Sequence, residues 1–365
     1  MTRTRMLLIT PDFPPGRGGI QLVAHRLVTH FTHVSSRVLT LRTPGAVHWD
    51  AAQEGIDVHR VSGGRDHRLA VLRLDAAAII AARRFRPDVV LAMHMVAAPA
   101  AAAIRSALGV PVVTYVHAKE LPARPRLARF AMRHSDRIVA VSCHAARLAA
   151  AAGADVSRVA VIPPGVDWRE PPRAQRQTTP TVVTVARLED RYKGHDVMVR
   201  AMLLVRDRVP AAQWLVVGDG SLRRDIERLA AAQGVRDAVR LCGTISDEER
   251  DRLLNRAHVF AMPSRVPANG GGDGFGIVYL EAGVHGLPVV AGRIGGALDA
   301  VIDGTTGVLV NPTDHVEVGD AISRLLIDRS WAARMGAAGS EHARAFAWPK
   351  IASRVEELIA ETVTA

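Results

Sequence analysis

Two cysteines, Cys143 and Cys242, are all that this 365-residue chain carries. They stand far apart and match no metal or redox spacing, so neither a disulfide framework nor a thiolate zinc site is expected. Aromatic residues make up only 4% of the chain and no recognition motif appears, which argues against nucleic acid as a partner. No run of eighteen apolar residues occurs, and the alanine-rich stretch from Met95 to Ala103 is too short to span a bilayer. At the start, Met-Thr-Arg-Thr-Arg precedes only four apolar residues, so no secretory signal is expected. The default expectation is a cytosolic protein with reduced thiols. No H-E-x-x-H, Cys cluster or exposed Asp-x-Asp points to a metal. Without G-x-S-x-G, a serine-type hydrolase loses support. The phosphate-binding pattern G-x-x-x-x-G-K-[ST] and the dinucleotide pattern G-x-G-x-x-G are missing as well.

What is present begins with size: 365 residues and 48% apolar content suffice for two globular domains, each with its own core. The net charge of +11 is uneven. Residues 1–170 carry 23 basic against 12 acidic side chains, whereas residues 171–365 carry 24 of each. Lysine occurs only at positions 119, 193 and 350, so arginine carries almost all of the positive charge. The basic first half suggests an anionic partner, either a membrane surface or a phosphorylated acceptor, against the plainer reading of a solvated basic face.

Along the chain, Met6–Thr10 reads as a buried strand stopped by Pro11-Asp12-Phe-Pro-Pro-Gly16. Gly18 and Gly19 then lead into an amphipathic helix from about Ile20 to Phe31, with Leu22, Val23, Leu27 and Phe31 on one face. Further strands are expected at 36–41, 57–61, 88–93, 111–116, 137–141 and 159–162, with helices at 69–85, 127–134 and 143–152. Apolar strands alternating with helices mean a parallel α/β sheet covered on both faces. The polar, proline-containing stretch 170–180 marks a boundary. A second α/β series follows, with strands at 181–185, 213–217, 239–242, 258–262, 288–291 and 307–310. Its helices are read at 196–208, 221–234, 247–257, 277–285, 296–301 and 315–326. Two final helices break near Trp348-Pro349. The expected division is a first domain over 1–168 and a second over 178–344. Two open α/β domains place a ligand in a cleft outside the C-terminal strand ends.

The candidate chemistry sits in loops after strands. From Gly270 to Gly276 the glycine-rich backbone can approach a ligand closely, and the helix opening at Gly276 presents free N–H groups that suit phosphate. Taken alone, that stretch reads equally well as a surface loop before a core helix. Glu281, inside the helix, can point back toward a ligand. Arg187 and Lys193 share one strand-to-helix loop, where two cations can clamp a diphosphate and stabilise charge growing on a leaving group. His117 follows the strand 111–116 and can reach a sugar hydroxyl or the reacting centre. Gly218-Asp-Gly220 reads as a tight turn before the next helix.

The residues also carry a resemblance. The chain resembles retaining GT-B glycosyltransferases of glycosyltransferase family 4 over nearly its whole length. The matching segments are Thr10-Pro-Asp-Phe-Pro-Pro-Gly-Arg-Gly-Gly-Ile-Gln21, Val-Ala-Arg187-Leu with Lys193-Gly-His, Val-Val-Gly-Asp-Gly220, and Gly-Phe-Gly-Ile-Val-Tyr-Leu-Glu281-Ala with Gly-Leu-Pro-Val-Val290. Within the family it looks most like actinobacterial phosphatidylinositol mannosyltransferases. The resemblance implies two Rossmann-like domains facing across a cleft, with a C-terminal helix, at about 345–365, crossing back to join the first. It implies that Arg187 and Lys193 bind the donor diphosphate, that Glu281 holds the ribose hydroxyls, and that Phe275, Gly276, Ile277 and Val278 contact sugar and phosphate. Gly19 would sit beside the diphosphate, His117 by the donor sugar, and Asp12 or Gln21 by the acceptor. Asp273 stands where the family usually has Glu. Where guanine-using relatives carry an acid after the strand at 239–242, this chain has Ser246 with Asp247 adjacent, which leaves GDP and UDP both open.

The expected activity is therefore metal-independent hexosyl transfer, mannose being the first choice, from a nucleotide diphosphate sugar to a hydroxyl acceptor, with no cofactor. The acceptor is expected to be an anionic lipid reached from the cytoplasm at the inner membrane face. A soluble acceptor, or a non-catalytic sugar-nucleotide-binding role, stands as the alternative.

Overall fold

Several strands consist almost wholly of aliphatic and β-branched residues, a pattern that requires cover on both faces of the sheet. In the computed structural model Met6, Leu7, Leu8 and Ile9 are all fully buried. The structure describes residues 3–16, 18–64, 66–170, 176–268 and 270–365. Arg17 of the opening motif, residues 171–175 of the expected boundary and Asn269 lie outside them.

The chain divides into two compact units. One comprises Met1–Gly165, Asn269–Gly274 and Trp348–Ala365; the other comprises Val166–Ala268 and Phe275–Ala347. In the first, β1 (Thr4–Ile9), β2 (Val34–Leu41), β3 (Asp57–Val61), β4 (Val89–Ala92), β5 (Val112–Val116), β6 (Arg137–Ala140) and β7 (Val159–Val161) form a parallel sheet in the order 3-2-1-4-5-6-7. In the second, β8 (Thr181–Val185), β9 (Gln213–Val217), β10 (Val239–Gly243), β11 (Val259–Met262), β12 (Val289–Gly292) and β13 (Gly307–Val310) pair in the order 10-9-8-11-12-13. Each sheet reverses direction once, between β1 and β4 and between β8 and β11. Loops leaving those strands are where an open α/β sheet binds ligands.

Strand ends differ from the sequence reading by no more than two residues, the scatter that fraying ends produce. The helix read at 20–31 spans Gly19–His30; it buries Val23, Ala24 and Leu27, whereas Leu22 and Phe31 are half-buried. Two readings shorten. The helix expected over 221–234 is Arg223–Ala232, because Gly220 and the turn after it occupy the first positions, and the one expected over 296–301 is Ala297–Ala300. The alanine-rich run becomes a helix, Ala98–Leu108, with Pro99 in its first turn and Ala100, Ala101 and Ile104 in the core. Small side chains let it lie close to the sheet, and proline at a helix start forfeits no hydrogen bond.

The final helix, Trp348–Thr364, belongs to the first unit. Its buried Glu356 accepts the backbone N–H groups of Thr32, His33 and Val34 at 2.8, 2.6 and 3.0 Å. A fourth bond comes from the Thr32 hydroxyl at 3.1 Å, and Arg354 donates to the Val161 carbonyl at 3.0 Å. One carboxylate thus satisfies three successive donors ahead of and within β2, of which the Val34 N–H is buried.

Candidate active site

In the second unit, the loop leaving β8 holds both expected cations. Arg187 is 66% exposed and its guanidinium is 4.0 Å from Asp190. Lys193 ends a short 3-10 turn, Arg191–Lys193, with its ammonium 5.5 Å from the Tyr192 ring centre. Backbone packing holds this loop from beneath. Gly194, at φ +80°, lies so close to the Pro263 carbonyl that a β-carbon would overlap it. Gly218 packs in the same way on the Ala186 carbonyl, and Leu188 exchanges backbone bonds with Asp219 and Leu222 at 2.9 and 2.8 Å. Gly218-Asp-Gly220, read from sequence as a simple turn, is therefore also the surface on which the Arg187 loop rests.

Across the sheet's switch point, the loop leaving β11 leads to the helix Ile277–Val284. Gly276, at φ +93°, forms its N-cap with no side-chain partner. Being first in the helix, Ile277 and Val278 have N–H groups without intrahelical acceptors. Tyr279 donates its hydroxyl to the Met262 carbonyl at 2.8 Å, which ties the helix start to the end of β11. Phe275 is buried, its ring 5.8 Å from that of Phe346. Glu281 lies on the same helix, half-buried. Burial pushes its carboxyl above the ordinary range; Arg250 opposes that, while Asp251, Asp167 and Asp247 add to it. A carboxylate held at some cost beside an arginine is a group with acceptor capacity to offer a hydroxyl-bearing ligand. Ser246 spends its hydroxyl capping the next helix through the Glu249 N–H at 3.2 Å, and Asp247 beside it is 83% exposed and 3.1 Å from Arg250.

In the first unit, Asp12 and Gln21 come together: the Gln21 amide donates to Asp12 at 3.2 Å. Gly19 opens the helix at Gly19–His30 with nothing within 4 Å of a β-carbon built on it, so its surroundings are open for a ligand. His117 follows β5. Its N–H donates to buried Glu120 at 2.6 Å, and its Nε2 is 3.0 Å from the Met93 carbonyl. Ala118, next to it, adopts φ +84°, a left-handed conformation that an alanine holds only at a cost of about 1–2 kcal/mol. The end of the glycine-rich loop packs here as well: a β-carbon on Gly274 would overlap the His117 carbonyl oxygen. The segment ending at Gly274 groups with the first unit, where the sequence reading had kept the whole stretch in the second domain. Among the described residues, no group of three or more His, Cys, Asp and Glu side chains is placed to hold a metal ion.

Two residues escaped the sequence reading. His94 follows β4 as His117 follows β5, so the same strand-end rule would have found it. Its Nδ1 accepts the Val96 N–H at 3.1 Å, which puts the proton of the neutral ring on Nε2. Burial holds its pKa below the ordinary imidazole value, with Glu120, His117 and Asp12 all close enough to act on it. Arg60 lies against the edge-to-face pair of Phe13 and Trp49, 5.9 and 5.8 Å from the two ring centres, with its side chain 4% exposed. It pairs with Asp50 through two nitrogens at 2.7 Å and donates to the Pro14 and Leu41 carbonyls, so it fixes the loop that carries Asp12. No local pattern announces such a partner, since it comes from β3.

Comparison with known proteins agrees with this geometry. The family described as Glycosyltransferase Family 4 matches residues 17–170, and that described as Glycosyl transferases group 1 matches 179–328. The GDP-mannose-dependent alpha-(1-6)-phosphatidylinositol monomannoside mannosyltransferase of Mycobacterium tuberculosis is 33% identical, across 98% of both chains. Its Mycolicibacterium smegmatis counterpart is 34% identical over 97% of this chain and 98% of its own. A D-inositol 3-phosphate glycosyltransferase of Nocardia farcinica is 35% identical over 61% of this chain and 52% of its own. Among solved structures, Anabaena HepE in complex with UDP and glucose superposes with a TM-score of 0.80 at 20% identity, covering 98% of this chain and all of that one. Sucrose-phosphate synthase from Thermosynechococcus elongatus reaches 0.82 at 21% identity, over 98% and 99% of the two chains. The chain belongs to the GT-B glycosyltransferases of family 4 and is a glycosyltransferase.

Proposed function

We propose that the enzyme transfers a mannosyl group from GDP-mannose, with retention, to a hydroxyl of an inositol-bearing phospholipid. The observation that carries this reading is the near-full-length similarity to two mycobacterial enzymes whose names specify that donor and acceptor. In the proposed roles, Arg187 and Lys193 neutralise the donor diphosphate, and the N–H groups of Ile277 and Val278 add the helix's positive end. Glu281 takes the ribose hydroxyls, while Phe275 and Gly276 shape the sugar pocket through their backbone. Gly19 leaves room for the diphosphate, and Asp273 meets a sugar hydroxyl with one methylene less than the usual glutamate. His117 lies by the donor sugar, and Asp12 with Gln21 addresses the acceptor.

In the reaction so assigned, the bond from the anomeric carbon to the diphosphate oxygen breaks while the acceptor oxygen bonds to that carbon on the same face. The acceptor proton passes to the departing phosphate oxygen. Charge then grows on the diphosphate, where the two cations and the helix start lower its energy. No protein base, resident cofactor or metal is required by this scheme.

Among the described residues no helix is long and apolar enough to cross a membrane. We therefore assign lipid access to peripheral contact, with the basic excess of residues 1–170 attracted to anionic headgroups at the cytoplasmic face. Binding to anionic vesicles should weaken as salt rises. A second reading, transfer to a soluble inositol phosphate, is favoured by the similarity to D-inositol 3-phosphate glycosyltransferases.

The deciding experiment presents GDP-mannose, UDP-glucose and other sugar nucleotides with either phosphatidylinositol monomannoside in vesicles or inositol 3-phosphate, and identifies products by mass spectrometry. Mannosylated lipid made only from GDP-mannose, and lost in Lys193→Ala, is the expected result. A product on inositol 3-phosphate alone establishes the second reading. Donor binding without any product reduces the chain to a sugar-nucleotide-binding protein.

A further inference from the structure

A groove of about 540 Å³ lies in the second unit between the helices His195–Arg208 and Arg223–Ala232. None of the residues assigned to the donor lines it. Its rim carries four arginines, at 191, 200, 228 and 265, against two carboxylates, Asp196 and Asp225. The pairing is uneven. Arg265 is matched by Asp196 at 2.7 Å. Arg191 and Arg228 both draw on Asp225, the former at 2.8 Å. Arg200 is exposed and has no ion-pair partner among the described residues. Two positive charges are thus left unmatched around a concave surface.

The floor and one wall differ in character. Ile226 and Leu229 present an apolar wall. His195 lies at the base, only 3% exposed, and neither ring nitrogen has a hydrogen-bond partner among the described residues. Buried polar side chains are seldom left so. Burial, with Lys193 contributing, holds this imidazole down to about 4, so it is neutral at pH 7 and adds no charge to the groove. The apolar wall suits the C–H face of a ring, and the unmatched guanidiniums suit a phosphate dianion.

We propose that this groove binds a small phosphorylated polyol of the sugar-phosphate class, and that occupancy is felt at the Asp190–Lys193 turn. The link is direct. Arg191 belongs to that turn, and Arg265 holds it by donating to the Arg191 carbonyl at 2.6 Å and, through its backbone N–H, to the Tyr192 carbonyl at 2.7 Å. A phosphate that draws Arg191 away from Asp225 shifts the segment ending in Lys193. This coupling, unlike the groove itself, rests on the assignment of Lys193 to the donor diphosphate.

Isothermal titration of the full chain with D-glucose 6-phosphate, glucose and inorganic phosphate tests the site, each with and without saturating GDP-mannose. Glucose 6-phosphate is expected to bind one per chain. Glucose should not bind, and inorganic phosphate should bind at least about tenfold more weakly, a difference of roughly 1.4 kcal/mol. The double variant Arg200→Ala/Arg228→Ala removes only exposed side chains outside the donor machinery. It should weaken glucose 6-phosphate about tenfold or more while leaving transfer in its absence unchanged. With GDP-mannose bound, the stoichiometry should stay at one and the Kd should move about fivefold or more, the donor Kd moving by the same factor. No binding at millimolar sugar phosphate, loss of its stoichiometry to GDP-mannose, or an unaltered Kd in the double variant overturns the groove assignment. Should the chain bind no sugar nucleotide, the donor reading and the coupling fail together, and the glucose 6-phosphate titration still decides the groove.

Discussion

Replacing Gly274 by alanine should cost activity without unfolding the protein. Gly274 does not have a positive φ, so the substitution carries no backbone strain of its own. What it adds is one carbon in occupied space: that β-carbon overlaps the His117 carbonyl oxygen and lies 3.0 Å from its carbon and 3.1 Å from a Val141 methyl. The obstacle is backbone at a position already held by Glu120 and by the left-handed Ala118, so it has little freedom to yield. Relief requires the loop or His117 to move by on the order of 1 Å, and misplacement of that size can cost about 100-fold in rate. The expected result is a kcat about 100-fold down, near 2.7 kcal/mol of barrier, with the melting temperature lowered by a few degrees at most. Gly63→Ala is the control, since its β-carbon would find ordinary contacts of 3.6 and 4.0 Å. If Gly274→Ala keeps its rate within about threefold of the parent, while Gly63→Ala behaves as expected, the 1 Å argument is wrong.

Three further substitutions or conditions probe the rest. Glu281→Gln should raise the melting temperature at neutral pH: a carboxyl whose folded pKa is raised gives stability at acid pH and loses it as pH rises, so its ionised form is a liability there. The same variant should bind donor nucleotide about tenfold more weakly, through loss of charged hydrogen bonds worth roughly 1.5–3 kcal/mol each; a variant that is less stable and binds normally contradicts both statements. Glu356→Ala removes the acceptor of three backbone donors, one of them the buried Val34 N–H, and urea unfolding should report a loss of about 1–3 kcal/mol, beyond a typical surface substitution. Finally, burial holds His195, His258 and His285 at about 4 against an ordinary 6.5. Their folded pKa values are depressed, so the stability they permit is complete above pH 6.5 and is lost as pH falls toward 4, by up to about 3 kcal/mol each. Urea midpoints measured from pH 7 to pH 4 should fall steeply, and by less in His285→Asn.

How much of this was legible beforehand depended on whether the signal was local. Strands such as Met6–Ile9 and Val89–Ala92 could be read because a strand buried on both faces must be apolar throughout, whatever surrounds it. The helix caps were equally plain: Ser246 before three acids, Gly276 before an apolar run. The helix Ala98–Leu108 was harder, because its packing relies on small size and not on an amphipathic stripe, and alanine alone does not distinguish a buried helix from a filler segment. The sharing of Glu356 among three backbone donors was invisible, since its partners lie more than three hundred positions earlier.

The site divides along the same line. The placement of Arg187, Lys193 and the Gly276 helix start could be read because glycine and cation placement after strands is a property of short segments. What supports them was not found, and the reason is geometric. Gly194 and Gly218 look like turn residues, yet each is also required where one backbone crosses another, and the crossing partners, Pro263 and Ala186, lie in other loops. Arg60 reads as one arginine among many until β3 places it against Phe13 and Trp49. The glycine-rich stretch illustrates the difference best. Gly276 answers to a rule about helix ends, and a sequence can state that rule. Gly274 answers to the His117 carbonyl, and only the folded chain brings the two together. Substitution at Gly276 disturbs the helix start itself, through its positive φ and the Tyr279 ring, whereas substitution at Gly274 tests whether one loop sets the position of another.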